Sequence, residues 1–262
     1  MVMGERIVIK VGSNTLTDTQ GRLDHHFIAT LVDQIADLRN TGHEVVLVTS
    51  GAIAAGIEAL RLAARPTDMP TLQACASIGQ VALVEMYGAH FGRRGFPIGQ
   101  VLLTKNDTEN ETAYAHARDT FERLLALGAV PIVNENDTVA VEEIAFGDND
   151  TLAALVAVMI AADSVIVLTD IDGLYDCDPN RFPDAVRVTR VAEITDEMIG
   201  NAGEAGSNLG SGGMRTKLEA GKTLLESGIR MTVCDGRCAN SVIDAVAGTG
   251  AGTVFDSTLE TT

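Results

Sequence analysis

Short runs of β-branched and other apolar residues alternate with amphipathic stretches along the whole chain. Ile7 to Val11, Val45 to Thr49, Ile98 to Leu103, Val130 to Val133, Val165 to Thr169 and Met231 to Cys234 have strand length and strand composition, which predicts strands at these places. Between the first two, Phe27, Ile28, Leu31, Val32, Ile35 and Leu38 repeat at helical spacing, and the pattern stops at Gly42. Helices are also expected over Gly51 to Leu60, Leu72 to Phe91, Thr108 to Leu127, Thr151 to Ala161, Met214 to Glu226 and Ser241 to Ala247. Strand alternating with helix means parallel strands joined by right-handed crossovers. The expected fold class is therefore α/β, a three-layer α/β/α sandwich with a central, mainly parallel sheet, and ligands in such sheets bind at the carboxyl ends of the strands.

No Pro-, Ser- or charge-rich linker divides the 262 residues, and no internal repeat is visible, so residues 1–262 are expected to form a single domain with two lobes. Thr138 to Phe146, with Val139, Val141 and Ile144 alternating, predicts a small hairpin over the sheet, and Ile171 to Ala205 reads as a loop-rich cleft edge. The formal charge of −17 excludes nucleic acid as the main partner, because a phosphate backbone requires a Lys/Arg surface. The apolar run from Leu152 to Ala162 is too short to span a bilayer, and the N-terminus lacks the apolar core of a signal peptide, which predicts a cytoplasmic protein without membrane contact. Cys75, Cys177, Cys234 and Cys238 have no paired zinc-ligand spacing and read as reduced thiols, so no protein metal site is expected. His25, His26, His43, His90 and His116 fall in or beside helices, away from the strand ends, and read as surface residues.

The chain holds only four lysines, Lys10, Lys105, Lys217 and Lys222, which makes those near glycine-rich turns conspicuous. Gly210-Ser-Gly-Gly-Met-Arg-Thr-Lys217 brings backbone donors, a helix start and two cations together, a pattern suited to a phosphate; a flexible glycine linker is the plainer alternative. Its order is not that of a P-loop, and no dinucleotide fingerprint follows a strand. Lys10 on the first strand would need an anionic partner if buried. Ser50-Gly51 opens a helix whose free N–H groups suit an anion, although Ser50 could equally be an ordinary cap. Asn134-Glu135-Asn136-Asp137 and Gly147-Asp148-Asn149-Asp150 form a dense set of short carboxylates and amides, fitting a ligand with both an ammonium and a carboxylate. Asp150 is also placed to hold lysine side chains. The Asp170-x-Asp172-Gly173 stretch lacks the ligand spacing of a calcium loop.

Ile7 to Ser13, Thr169 to Tyr175 with Asp178-Pro179, Val133 to Thr138, Phe146 to Asp150 and Gly210 to Lys217 together resemble the amino acid kinase family over essentially the whole chain. Within it they resemble the branch that phosphorylates the side-chain carboxylate of L-glutamate at the entry to proline synthesis. The resemblance implies ATP and Mg²⁺ as cofactors, and Lys10, Asp150 and Lys217 as catalytic residues. It puts ATP against Lys10, Gly12, Ser13, Thr169, Asp170, Ser211, Gly212, Gly213, Met214, Arg215, Thr216 and Lys217. It puts glutamate among Ser50, Gly51, Asn134, Asp137, Asp148 and Asn149, with glutamate on the N-terminal lobe and ATP on the C-terminal lobe. It further implies feedback by L-proline, a homo-oligomer (dimer or tetramer) and functional coupling to a glutamyl phosphate reductase. A C-terminal PUA domain, frequent in bacterial members of this branch, is not expected within these residues. A sibling kinase acting on another small acid, carbamate or nucleoside monophosphate stays as an alternative, as does a metabolite sensor of the same fold without turnover.

Overall fold

The computed structural model describes residues 4–140, 149–177, 179, 182–204 and 213–258. In chain order the elements are β1 (Arg6–Val11), α1 (Ser13–Leu16), α2 (His25–Asn40), β2 (Glu44–Thr49), α3 (Ala52–Ala59), α4 (Met69–Arg93), β3 (Ile98–Leu103), α5 (Lys105–Glu109), α6 (Glu111–Ala126) and β4 (Val130–Glu135). They continue as α7 (Asn149–Met159), β5 (Ser164–Thr169), β6 (Leu174–Tyr175), β7 (Arg187–Val188), β8 (Arg190–Val191), α8 (Asp196–Glu204), α9 (Met214–Glu226), β9 (Arg230–Asp235), α10 (Ser241–Ala247) and β10 (Thr253–Phe255).

Eight strands form one sheet in the order β3-β4-β2-β1-β5-β9-β10-β8. From β3 to β9 every pairing is parallel, and β10 turns antiparallel against β9. Because successive strand residues point to opposite faces, the sheet divides its apolar residues between two helix layers. Ile7, Ile9, Val11, Leu47, Ile166 and Leu168 pack under α2 and α4, whose Ile28, Leu31, Ile35, Leu83, Tyr87 and Phe91 complete that core. Val8, Val46, Val48, Val133, Val165 and Val167 face the other way, onto Phe121 of α6, Ala153, Val156 and Ala157 of α7, and Leu218 and Leu224 of α9. The same alternation puts Lys10 on the face of Val8, towards α7 and α9.

All the sequence-predicted strands are present, and α2, α3, α4, α7, α9 and α10 coincide with expected helices to within a few residues. The helix expected over Thr108 to Leu127 is instead two. Thr104 and Asp107 close a capping box around α5, and the Asn110 side chain accepts from the Thr112 and Ala113 N–H groups to start α6. The segment read as loop, Ile171 to Ala205, carries β6, β7, β8 and α8, with strands two residues long that leave no periodic signal. Most of the expected hairpin lies outside the described residues, and at its start Val139 is 65% exposed. His25, His26 and His116 are exposed as expected, whereas His43 is partly buried and accepts from the Glu5 N–H. Among the described residues no helix is long and apolar enough to cross a membrane.

Candidate active site

Lys10 and Lys217 converge on one carboxylate. Lys10 Nζ stands 2.5 Å from Asp150 Oδ1, and Lys217 Nζ donates to Asp150 Oδ2 at 3.1 Å. Asp150 is fully buried as a side chain, and both lysines are nearly so. Burial alone would push the Asp150 carboxyl up, but the two ammonium groups outweigh it and hold the group below its ordinary value. The local sequence explains the meeting. Lys10 lies near the end of β1 on the α7 side, Asp150 is in the first turn of α7, and Lys217 is in the first turn of α9. Thr216 ties α9 to the same point, its one hydroxyl proton lying between two acceptors, Asp150 Oδ2 at 3.1 Å and Gly213 O at 2.9 Å. These three charged groups carry two positive charges to one negative, beside helix starts that favour anions.

A second constellation is built from amides at the ends of β2 and β4. Asn149 Nδ2 lies 2.9 Å from Ser50 Oγ, 3.0 Å from Asn134 Oδ1 and 3.0 Å from the Thr49 carbonyl. Asn134 Oδ1 also accepts from the Glu135 N–H at 2.9 Å, and Asn134 Nδ2 donates to Gln80 Oε1 at 2.9 Å. Ser50, Asn134, Asn149 and Gln80 are all buried. Gly51 turns the chain into α3 with φ +100°, a left-handed conformation that glycine adopts without strain. Asp137, half-buried past the end of β4, lines a cleft of about 390 Å³ with Gln80, Glu135, Asn136 and Thr138. Burial pushes its carboxyl up to about 6 against the opposing charge of Arg65.

The third group lies at the end of β5. Thr169 Oγ1 donates to Asp170 Oδ1 at 3.1 Å, Asn14 Nδ2 donates to Asp170 Oδ2 at 3.2 Å, and the Gly236 N–H bonds the Thr169 carbonyl. Gly12 caps α1, and a Cβ added to it would stand 3.4 Å from Lys10 Nζ, so the missing side chain keeps the ammonium approachable. Ser13 is exposed beside it. Asp172 accepts from the Tyr175 hydroxyl and pairs with Arg187, each at 2.7 Å.

The structure thus gathers Lys10, Gly12, Asp150, Thr216 and Lys217 at one point and Ser50, Gly51, Asn134 and Asn149 next to it, through the neighbours Asn149 and Asp150. Gly213 and Met214 begin α9, but the Arg215 side chain is exposed and pairs with Glu219. Asp148, Ser211 and Gly212 lie outside the described residues. Gln80, Thr216's bond to Asp150 and Asn14 went unread in the sequence. Gln80 left a signal: it is the one long polar side chain among the buried residues of α4, between Gly79 and Leu83.

The amino acid kinase family model matches residues 5–235. A glutamate 5-kinase from Caldanaerobacter subterraneus subsp. tengcongensis is 47% identical over 95% of this chain and 67% of its own length. One from Clostridium acetobutylicum is 46% identical over 95% of this chain and 94% of its own. Among solved structures, UMP kinase from Ureaplasma parvum superposes with a TM-score of 0.65 at 17% identity, covering 97% of this chain and 100% of that one. Carbamate kinase from Giardia lamblia bound to AMP-PNP gives 0.66 at 14%, covering 98% and 99%. At such identities the two structures speak for the fold, whereas the family match and the relatives near half identity bear on the chain as a whole. It belongs to the amino acid kinase family.

Proposed function

We propose that this chain transfers the γ-phosphoryl group of ATP to the side-chain carboxylate of L-glutamate, giving glutamyl 5-phosphate and ADP, the first step of proline biosynthesis. The observation that carries the reading is the Lys10–Asp150–Lys217 cluster adjoining the Ser50–Asn149–Asn134 ladder in a chain 46–47% identical to glutamate 5-kinases. In the reaction a carboxylate oxygen attacks the γ-phosphorus and the bond to the β,γ-bridging oxygen breaks, its electron pair leaving with ADP. A carboxylate is already ionised at pH 7, so no general base is required. Catalysis reduces to alignment and to neutralising charge on the transferred group. Lys10 and Lys217 supply the charge, and Asp150, kept ionised between them, holds both ammonium groups in place.

In this reading Ser50, Gly51, Asn134, Asp137, Asp148 and Asn149 on the N-terminal lobe hold glutamate, with Asp137 facing its ammonium. Gly12, Ser13, Thr169, Asp170 and Ser211 to Lys217, mainly on the C-terminal lobe, hold ATP. Among the described residues no three His, Cys, Asp or Glu side chains stand together to cage a metal. Mg²⁺ would accompany the nucleotide, whose phosphate oxygens are its natural ligands, and would offset charge on them. A cytoplasmic homo-oligomer, inhibition by proline at the glutamate site and coupling to a reductase that consumes the acyl phosphate complete the proposal. The test is a kinetic screen of glutamate, aspartate, acetylglutamate and UMP with ATP. Glutamate should show by far the highest kcat/KM, and preference for any other acceptor would replace this reading.

A further inference from the structure

Burying an amide in an apolar helix face is unfavourable unless its hydrogen bonds are used. Gln80 is 9% exposed within the stripe of Leu72, Cys75, Ala76, Gly79, Leu83 and Tyr87, where an aliphatic residue would pack at no such cost. Its Oε1 accepts from Asn134 Nδ2 at 2.9 Å, so one half of the amide is used, while its buried Nε2 has no partner among the described residues. With its nitrogen so engaged, Asn134 turns Oδ1 towards two donors, the Glu135 N–H and Asn149 Nδ2. A flipped Asn134 would set N–H against N–H at both places. Asn149 in turn points its nitrogen at Asn134, Ser50 and Thr49, and its buried Oδ1 has no partner among the described residues. Gln80 therefore sits at the root of a one-way ladder whose far end is an open acceptor.

We propose that Gln80 is a positioning residue for the amino acid substrate: by accepting from Asn134 Nδ2 it holds, together with the Glu135 N–H on Oδ1, the direction of the Asn134–Asn149 ladder and keeps Asn149 Oδ1 available to a substrate N–H donor. This rests on the assignment of the ladder to glutamate made above. Gln80 has no part in the phosphoryl chemistry in this assignment, so its loss should weaken glutamate binding and leave that chemistry intact.

The experiment compares steady-state kinetics of wild type, Q80M, Q80L, N134A and Q80M/N134A, with thermal unfolding and ATP KM as controls on folding. Q80M and Q80L remove the same acceptor with different shapes. Both should raise the glutamate KM about tenfold, the scale of one buried hydrogen bond, with kcat within about threefold and ATP KM unchanged. Q80M/N134A should be no worse than N134A, because the two residues act in series. Glutamate KM within twofold of wild type in Q80M and Q80L overturns the inference, as does a shift in only one of them, which would report packing. Multiplying effects in the double variant also overturn it, pointing to an independent substrate contact. Wild type without glutamate turnover overturns the functional reading with it, so the two failures are told apart.

Discussion

Asp150 between two ammonium groups is a buried charge whose partners cannot be removed one at a time without penalty. Asp150→Ala would leave Lys10 and Lys217 facing each other in the interior, and breaking such a buried pair costs about 3–5 kcal/mol. A fall of many degrees in the unfolding midpoint is expected, together with loss of turnover. Lys217→Ala should act differently, because its charge is assigned to the transition state: kcat should drop on the order of 10²-fold or more while glutamate KM changes little. Near-normal kcat would remove Lys217 from the mechanism. Asp137 gives a pH prediction. Its carboxyl titrates near 6, so contact with the substrate ammonium is lost as pH falls through about 6, and glutamate kcat/KM should decline there. Asp137→Asn should be lower and flat across that window. For stability the sign reverses: a carboxyl raised above its ordinary 3.8 favours the fold below that pH and disfavours it once ionised above about 6. Asp137→Asn should therefore stabilise at pH 8 and gain nothing at pH 3.5 in thermal unfolding. Lys10 and Ser50 stood out in the sequence as polar groups at strand ends, Asn149 and Asp150 as an amide and a carboxylate opening an apolar helix, and Lys217 as one of four lysines, just after a glycine-rich run. Gln80 went unread although helical spacing puts it in the buried stripe of α4, because its partner Asn134 is 54 positions away and the sequence does not show that the two meet.

At the scale of elements, the crossing of α3 on α4 sets where the Ser50-Gly51 turn lies. The two helices meet backbone to backbone: a Cβ on Gly79 would stand 1.8 Å from Ala52 O and 2.3 Å from Gly56 N, and one on Gly56 would stand 1.9 Å from Cys75 O. These are backbone atoms, so no side chain can yield. Gly79→Ala should force the helices apart, destabilise by about 1–3 kcal/mol or more, and raise glutamate KM by displacing the N-terminus of α3. Calorimetry and kinetics on one preparation check both parts, and an unchanged KM would separate the crossing from the site. The parallel core of the sheet was readable because its strands are six residues long and apolar. The edge β6, β7 and β8 was not, since two residues cannot display a period. The break at Asn110 was missed for another reason: Lys105 to Thr112 holds no apolar residue and so displays no period, and only the local caps reveal the division.

For the whole molecule, the central strand β1 divides the labour of the sheet, with β2, β4 and β3 on one side carrying the amide ladder and β5 and β9 on the other carrying the Thr169-Asp170 end. On the proposed assignment, two substrates brought to adjoining strand ends would meet at Lys10 and α7, where Asn149 and Asp150 belong to one constellation each. Free proline offers a carboxylate and a ring ammonium to the same ladder, and it should inhibit competitively with glutamate. Titration of proline at several glutamate concentrations checks this, and inhibition that excess glutamate cannot relieve would require a separate site. The central claim is that the acceptor is the side-chain carboxylate of glutamate and the product an acyl phosphate. Its most direct test is to incubate the protein with ATP, Mg²⁺, glutamate and hydroxylamine and to quantify glutamyl hydroxamate against ADP. The account predicts equal amounts of the two, dependent on glutamate and lost in Lys217→Ala. ADP released without hydroxamate, or at the same rate with glutamate left out, would contradict it.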